Sequence, residues 1–330
     1  MLTVLFATRN GSRTLPTVLE TFARLQAPSS GWKLVVVDNG STDRTREIVS
    51  SFRASLPLTY VFEERPGKNA ALNAGLQHLE GDLAVFTDDD VFPHPDWLIR
   101  LRAAADAHLA YSMFGGVVQP RWQVTPPHWV KWVKTSIVFA ITDPQMAEGP
   151  TDPQLLFGPN MAIRAEVFKG GIRFNTSIGP RGNNYPMGSE TELVLRLGRQ
   201  GHKAWHVRDA VVEHFIREDQ LNKSWVLGRA ARFGRGGVRI SQTADAVAVP
   251  CWFDMPVRLL FKLFKKSVKA AIAWLSFNEQ AVFTARWEFN YILGQIIETR
   301  IIRRERYARS NSDKAEPVRS LHDNGVATKK

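Results

Sequence analysis

The chain has a single cysteine, Cys251, among 330 residues. That excludes an internal disulfide and fits a reducing compartment, with the thiol read as a small core or interface side chain. No stretch approaches the ~20 uncharged apolar residues that cross a bilayer, so no spanning helix is expected. The first apolar run starts at Leu2 with neither a basic leader nor a long apolar segment before it, so no signal peptide is expected. Two phosphate-binding signatures are missing as well. No G-x-G-x-x-G follows the first apolar run. Around Gly67 and Lys68 the upstream glycine of a G-x-x-x-x-G-K-[ST] loop is Phe62, and Asn69 follows the lysine. The glycine-rich FGRGG at 233–237 follows a helical pattern and not a strand. These departures argue against a dinucleotide-binding or P-loop domain.

Apolar residues at 44% and charged residues at 23% place the chain among ordinary globular proteins, and its length allows one large or two modest domains. The net charge of +11 is unevenly distributed. Residues 1–216 carry 22 Lys and Arg against 21 Asp and Glu, whereas 217–330 carry 21 against 11. A neutral front and a basic back suggest that one end meets an anionic surface, either phospholipid or nucleic acid.

Strand, polar loop and helix alternate through the front. Residues 2–7 form an apolar β run that ends in Thr8, Arg9, Asn10 and Gly11, before Leu15, Val18, Leu19 and Phe22 at helical spacing. Residues 34–37 repeat the scheme and end in Asp38, Asn39 and Gly40, followed by a helix over 46–52. A third strand at 59–62 leads through Pro66 and Gly67 to a helix that opens with Lys68. The fold class read from this order is α/β, with a mostly parallel central sheet and helices on both faces. Its polar clusters fall just past the strand ends, where open α/β sheets bind ligands.

Residues 83–98, LAVFTDDDVFPHPDWL, carry the strongest signal. A short buried strand runs straight into Asp88, Asp89 and Asp90, and each of these charges raises the cost of ionising its neighbours unless a cation or donors compensate. On an extended backbone Asp88 and Asp90 share one side and can converge on a hard cation, while Asp89 points away. Pro93, Pro95, Trp97 and Leu98 then end the strand and anchor the next helix. Taken alone, such a triplet is equally compatible with a solvated acidic turn.

A D-x-D after an apolar strand with P-x-W-L downstream resembles the signature of the family 2 glycosyltransferases of the GT-A fold. The resemblance implies that Asp38 reads the nucleotide base, that Thr8 touches the nucleotide, and that Asp88 and Asp89 belong to the nucleotide-sugar site. It implies a metal, Mn2+ or Mg2+, on Asp90. Leu72 stands where the family usually has an arginine, and Lys68 is the substitute. The run GSETELVLRLGRQG at 188–201 is similar to the family's G-E-D-x-E-L. That register puts Glu190 in the position of the catalytic base, with Glu192 as the alternative. Both would also complement a helix N-terminus. His214, at the end of the apolar run 211–212, resembles an additional metal ligand of the family, although a lone histidine is often structural. The three tryptophans of 122–132 suit core packing or a sugar-stacking loop, and 143–153 and 174–188 read as mobile loops.

The back is read from its own pattern. Arg229, Arg232, Arg235 and Arg239 lie around Gly234, Gly236 and Gly237 in what reads as a loop able to fold over a diphosphate, with Arg235 the preferred contact; a solvated basic face is the alternative. In 256–277 Val257, Leu260, Phe261, Phe264, Val268, Ile272 and Leu275 form one helical stripe, and Arg258, Lys262, Lys265, Lys266 and Lys269 another. A second helix follows with Trp287, Phe289, Tyr291, Ile292, Leu293, Ile296 and Ile297. Together they read as a basic helical hairpin on an anionic membrane surface. Packing on the catalytic part or in a homo-oligomer is the alternative.

The chain divides accordingly into a GT-A catalytic domain at 1–216, a basic helical extension at 217–308 and a disordered tail at 309–330. The function implied is inverting transfer from a nucleotide-diphosphate sugar, a UDP-sugar for preference. The hydroxyl acceptor would be lipid-linked or a polysaccharide, met at the cytoplasmic face of the membrane. A nucleic-acid-binding protein is disfavoured because the ligand edge of the sheet is acidic. A non-catalytic scaffold is disfavoured because every acidic motif is present.

Overall fold

The computed structural model describes residues 1–182, 184–241, 251–252, 255–275 and 277–315. The front runs β1 (Leu2–Thr8), α1 (Leu15–Ala23), β2 (Trp32–Asp38), α2 (Thr45–Ser51), β3 (Leu58–Phe62), α3 (Lys68–Gly75) and β4 (Leu83–Phe86). Next come β5 (Val91–Pro93), α4 (Trp97–Ala107), β6 (Met113–Trp122), α5 (Thr135–Phe139), β7 (Gly149–Thr151), β8 (Met161–Arg164), α6 (Ala165–Lys169), α7 (Ser189–Arg199) and β9 (Ala204–Ile216). The back holds α8 (Lys223–Ser241), β10 (Cys251–Trp252), β11 (Met255–Pro256), α9 (Val257–Leu275) and α10 (Glu279–Ala315).

The first strands are apolar on both sides because both sides are covered. Leu2, Val4, Phe6, Leu34 and Val36 face α1 and α4, through Leu15, Val18, Phe22, Trp97 and Leu101. The alternate residues Leu5, Val35, Val37 and Phe86 face α3 and α7, through Leu72, Leu193 and Leu197. Period-2 alternation thus divides one apolar run between two cores.

The main sheet has the order β3-β2-β1-β4-β8-β6-β9-β5, with β7 paired to β9. Its first four strands are parallel. Beyond β4 the sheet is mixed, because β8 enters antiparallel between β4 and β6, and β5 and β7 are antiparallel to β9. The mostly parallel sheet of the sequence reading therefore holds for one half. The same pairing puts β7 inside the segment expected to be a mobile loop. The 174–188 segment is tied down by side chains of α3: Asn69 Nδ2 donates to Asn175 and Ile178 carbonyls, and Asn73 Nδ2 to Phe174.

The tryptophan-rich 122–132 segment is core and not a sugar platform. Trp129 and Val130 bury with Val138 and Phe139 against Val226 and Leu227 of α8 and Phe283 of α10. The glycine-rich 233–237 stretch is the middle of α8 and no loop. A Cβ on Gly234 would stand 2.0 Å from the Tyr291 carbonyl of α10, and one on Gly236 1.7 Å from that of Met187, so these glycines let α8 dock closely.

The two amphipathic helices part company. In α10, Tyr291, Ile292 and Ile296 pack on Leu259, Leu260 and Leu263 of α9, and Trp287 joins the tryptophan core. That stripe is closed to a membrane, which corrects half of the expected hairpin. In α9 the opposite holds: Val257, Phe261, Phe264, Val268, Ile272 and Leu275 are exposed. Helix α10 also continues to Ala315, so the tail expected from residue 309 is helical at first; its remainder, 316–330, lies outside the described residues.

Candidate active site

The carboxyl ends of β1, β2 and β4 lie side by side because these strands pair in parallel, Thr8 opposite Asp38 and Leu5 opposite Phe86. Past Phe86 the chain does not stay extended but turns at Asp89 and Asp90. The expected pairing of Asp88 with Asp90, and Asp89 apart, gives way to a fan across one site. Asp88 accepts from Lys68 Nζ. Asp89 accepts from Thr8 Oγ1 at 2.5 Å. Asp90 faces His214 Nε2 at 3.6 Å and Arg217 at 3.9 Å.

Electrostatics separates the three acids. Burial and the adjacent Asp90 charge push Asp89 up to about 7. Burial also raises Asp88, over the opposing pull of Lys68. At Asp90 burial works against ionisation but loses to His214 and Arg217, which hold the carboxyl below the usual range.

Glu190 completes the cluster. It sits in the first turn of α7, whose N-terminus favours an anion, and its carboxylate lies 2.7 Å from Lys68 Nζ. Lys68 therefore bridges Asp88 and Glu190. Burial opposes its charge, but the two carboxylates outweigh it and hold the ammonium well above its ordinary range. Glu190 is in turn held below the usual carboxylate range: burial opposes, and Lys68 prevails. Glu192 turns away and makes a two-toothed pair with Arg196 at 2.8 and 3.1 Å. Gly158 makes room for the base candidate, since a Cβ there would come within 2.7 Å of Glu190 Cγ and Cδ.

His214 Nδ1 lies 2.7 Å from the Phe139 carbonyl. A carbonyl only accepts, so Nδ1 carries a hydrogen and Nε2 is the ring atom turned towards Asp90. Asp90 and His214 are two ligand atoms in reach of one cation. Among the described residues no set of three His, Cys, Asp or Glu groups converges on a metal position. Mg2+ and similar hard cations often take only one or two protein ligands and complete their shell with phosphate oxygens and water. The residues present fit that kind of site.

Asp38 is 2% exposed. Its Oδ1 accepts from the Ser41 backbone N–H and its Oδ2 from the Tyr60 hydroxyl, each at 2.8 Å. Burial and Asp38 together push Tyr60 up to about 12. Asp38 thus caps its own turn while lying at the ligand edge beside Thr8.

Arg235 is not at the site. It is 6% exposed and its guanidinium donates to Glu298 of α10 at 2.6 Å and to Asn184. The assignment of Arg235 to a diphosphate is therefore corrected: a helix, where a loop was expected, turns it into an interhelical contact.

Three contributors escaped the sequence reading. Tyr60 holds Asp38. Arg217 adds charge beside Asp90, and its place three residues after His214 was the available signal. Asn160, fully buried, accepts from Trp97 Nε1 at 2.8 Å and donates to the Val117 and Ala210 carbonyls. Its signal was a polar residue inside the apolar run LLFGPNMAI. It explains why a tryptophan follows the acidic turn: the indole N–H needs a buried acceptor.

The model of Glycosyl transferase family 2 matches residues 3–171. Glycosyltransferase AglE of Haloferax volcanii is 26% identical over 206 residues, 61% of this chain and 63% of that protein. Succinoglycan biosynthesis protein ExoM of Rhizobium meliloti is 25% identical over 225 residues, 67% of this chain and 69% of that protein. Among solved structures, the mannosyltransferase PcManGT from Pyrobaculum calidifontis, in complex with GDP-Man and Mn2+, superposes with a TM-score of 0.58 at 19% identity, covering 90% of this chain and 86% of that one.

Proposed function

Because the chain belongs to glycosyl transferase family 2, we propose that it moves a sugar from a nucleotide-diphosphate donor to a hydroxyl acceptor with inversion. The observation that carries this reading is the bridging of Asp88 and Glu190 by Lys68 beside the Asp90–His214 pair. One candidate base and one candidate cation site stand together at the carboxyl edge of the sheet, as a single in-line displacement requires.

The nucleotide base and ribose lie against Asp38 and Thr8, with a UDP-sugar the favoured donor. Asp90 and His214 would hold Mn2+ or Mg2+, which would neutralise charge developing on the leaving diphosphate. Glu190 takes the proton of the acceptor hydroxyl as its oxygen bonds to the anomeric carbon and the bond from that carbon to the diphosphate breaks. Lys68 keeps Glu190 ionised. Asp88, on the other side of Lys68, fixes the ammonium, and Asp89 fixes Thr8.

The acceptor is lipid-linked or a growing polysaccharide, at an anionic membrane surface reached through α9. Its exposed apolar stripe is flanked by Arg258, Lys262 and Lys265, the arrangement of a helix lying in the interface plane. Among the described residues no helix is long and apolar enough to cross a membrane. The 1–216 unit does the chemistry and the 217–308 helices place it. A relative named for succinoglycan biosynthesis supports a polysaccharide product.

The test is a panel of nucleotide sugars scored for Mn2+-dependent hydrolysis and protection against thermal unfolding. A UDP-sugar should give both. Asp90→Ala should abolish metal-dependent protection while keeping the fold, and undiminished Mn2+-dependent binding by that variant would overturn the assignment.

A further inference from the structure

Four arginines of α8 meet two different fates. Arg235 and Arg239 both pair with Glu298, and Arg239 also with Glu305. Arg229 and Arg232, one helical turn apart, have no carboxylate within ion-pairing distance among the described residues. Each is half-buried, and the Nε of each is shut off from solvent without a hydrogen-bond partner. Their guanidinium groups lie over the Trp225 ring at 5.3 and 6.0 Å, and that of Arg232 over Tyr185 at 5.5 Å.

Two like charges held side by side in partial burial are costly, and arginine does not escape by losing its proton. Burial first, and then the Arg232 charge, lower the Arg229 guanidinium, against the opposing pull of Tyr185, Asp90 and Glu190. The aromatic faces orient the two planar forks and leave their N–H groups unspent. Such forks suit a phosphate, two of whose oxygens can accept two parallel N–H groups from one guanidinium. A carboxylate side chain in this place would have been a structural partner. None is there.

The donor already has the Asp90–His214 site for its diphosphate. The Arg232 carbonyl accepts from Met187 N–H at 3.0 Å, which ties α8 to the segment leading into Glu190, the group that receives the acceptor's proton. The same helical unit carries the exposed apolar stripe of α9. A phosphate anchored in a lipid surface would enter along this side.

We propose that Arg229 and Arg232 form a phosphate subsite for the acceptor, which carries a phosphate or diphosphate between its lipid and the sugar that is extended. This rests on the glycosyl-transfer reading and names its acceptor class.

The experiment uses the full chain with saturating UDP and Mn2+ and follows binding of farnesyl diphosphate, farnesol and inorganic pyrophosphate by calorimetry. Farnesyl diphosphate should bind, and Arg229→Gln and Arg232→Gln should each weaken it about tenfold or more while shifting farnesol and UDP binding less than about twofold. The melting temperature should change little, because each side chain loses only its place over Trp225 or Tyr185 and no ion pair. Arg229→Lys, which keeps the charge but not the fork, should retain part of the affinity.

Weakened UDP binding with unchanged farnesyl diphosphate binding would assign the pair to the donor and overturn the proposal. So would no binding by the parent chain, a fall in melting temperature that accounts for the loss, or pyrophosphate competing equally well in parent and variants. If the parent chain fails to bind UDP with Mn2+ at all, the glycosyl-transfer reading falls instead.

Discussion

The two ends of the chain use charge in opposite ways. At the strand ends of the front, Asp88 and Glu190 share Lys68, Asp89 meets Thr8, and Asp90 faces His214 and Arg217, so four carboxylates have few cations between them. In the back, Arg235 and Arg239 converge on Glu298, whose side chain is fully buried. The first arrangement is unbalanced and open to a ligand; the second is closed and locks α8 to α10. A charged cluster marks a site when the protein leaves it incompletely paired, and a joint when it does not.

Glu190→Gln gives the strongest test of that contrast. Transfer should fall about 10²–10⁴-fold, the range of general-base help, with donor binding retained because the amide keeps the shape. Glu192→Gln should leave turnover near the parent level and lower the melting temperature through loss of the Arg196 pair. Steady-state kinetics on both variants decides, and the reverse outcome would move the base to Glu192.

Glu298→Ala addresses the joint. Removing one partner of a buried pair costs about 3–5 kcal/mol, here leaving Arg235 with Asn184 and Arg239 with Glu305 as their remaining partners. Urea unfolding should show that loss, and a change under about 1 kcal/mol would mean that the α8–α10 contact is held by apolar packing alone.

Between these lies the exposed face of α9. Basic residues near an anionic surface contribute about 1 kcal/mol each, so Lys262→Gln with Lys265→Gln should weaken binding to anionic vesicles roughly thirtyfold at low salt. Stability in solution should not change, because both side chains are exposed. Equal pelleting of parent and variant would favour an interface between copies of the chain.

The smallest effect concerns the loops behind the nucleotide edge. Asp43 accepts from the Ser12 and Thr45 backbone N–H groups and from the Thr45 hydroxyl. Burial opposes ionisation slightly, but these donors bring the carboxyl down to about 2. A depressed folded-state value means that the stabilisation is complete above the ordinary carboxylate range and is lost as pH falls through about 2. Asp43→Asn should flatten the acid limb of a stability-against-pH curve between about 4 and 2. An unchanged slope would remove Asp43 from the account.

The sequence by itself determined the alternation of strands and helices in the front, because continuous apolar runs such as LVVV leave little choice but a strand covered on both faces. It also set the acidic turn after β4 and the amphipathic character of α9, both of which are local patterns. Only the tertiary structure decided which charges meet. Lys68 reaches Glu190 across 122 positions of sequence because α3 and α7 cover the same face of the sheet, and no periodicity encodes that distance. Arg235 and Arg229 stand on the same helix with the same side chain. One pairs with Glu298 and the other lies over Trp225, since six residues of helix rotate a side chain well away from its starting direction. Tertiary packing likewise separated α9 from α10: both present apolar stripes in the sequence, but α10 meets α8 closely at Gly234 and Gly294 and α9 through Ile292 and Ile296, while the outer stripe of α9 stays exposed.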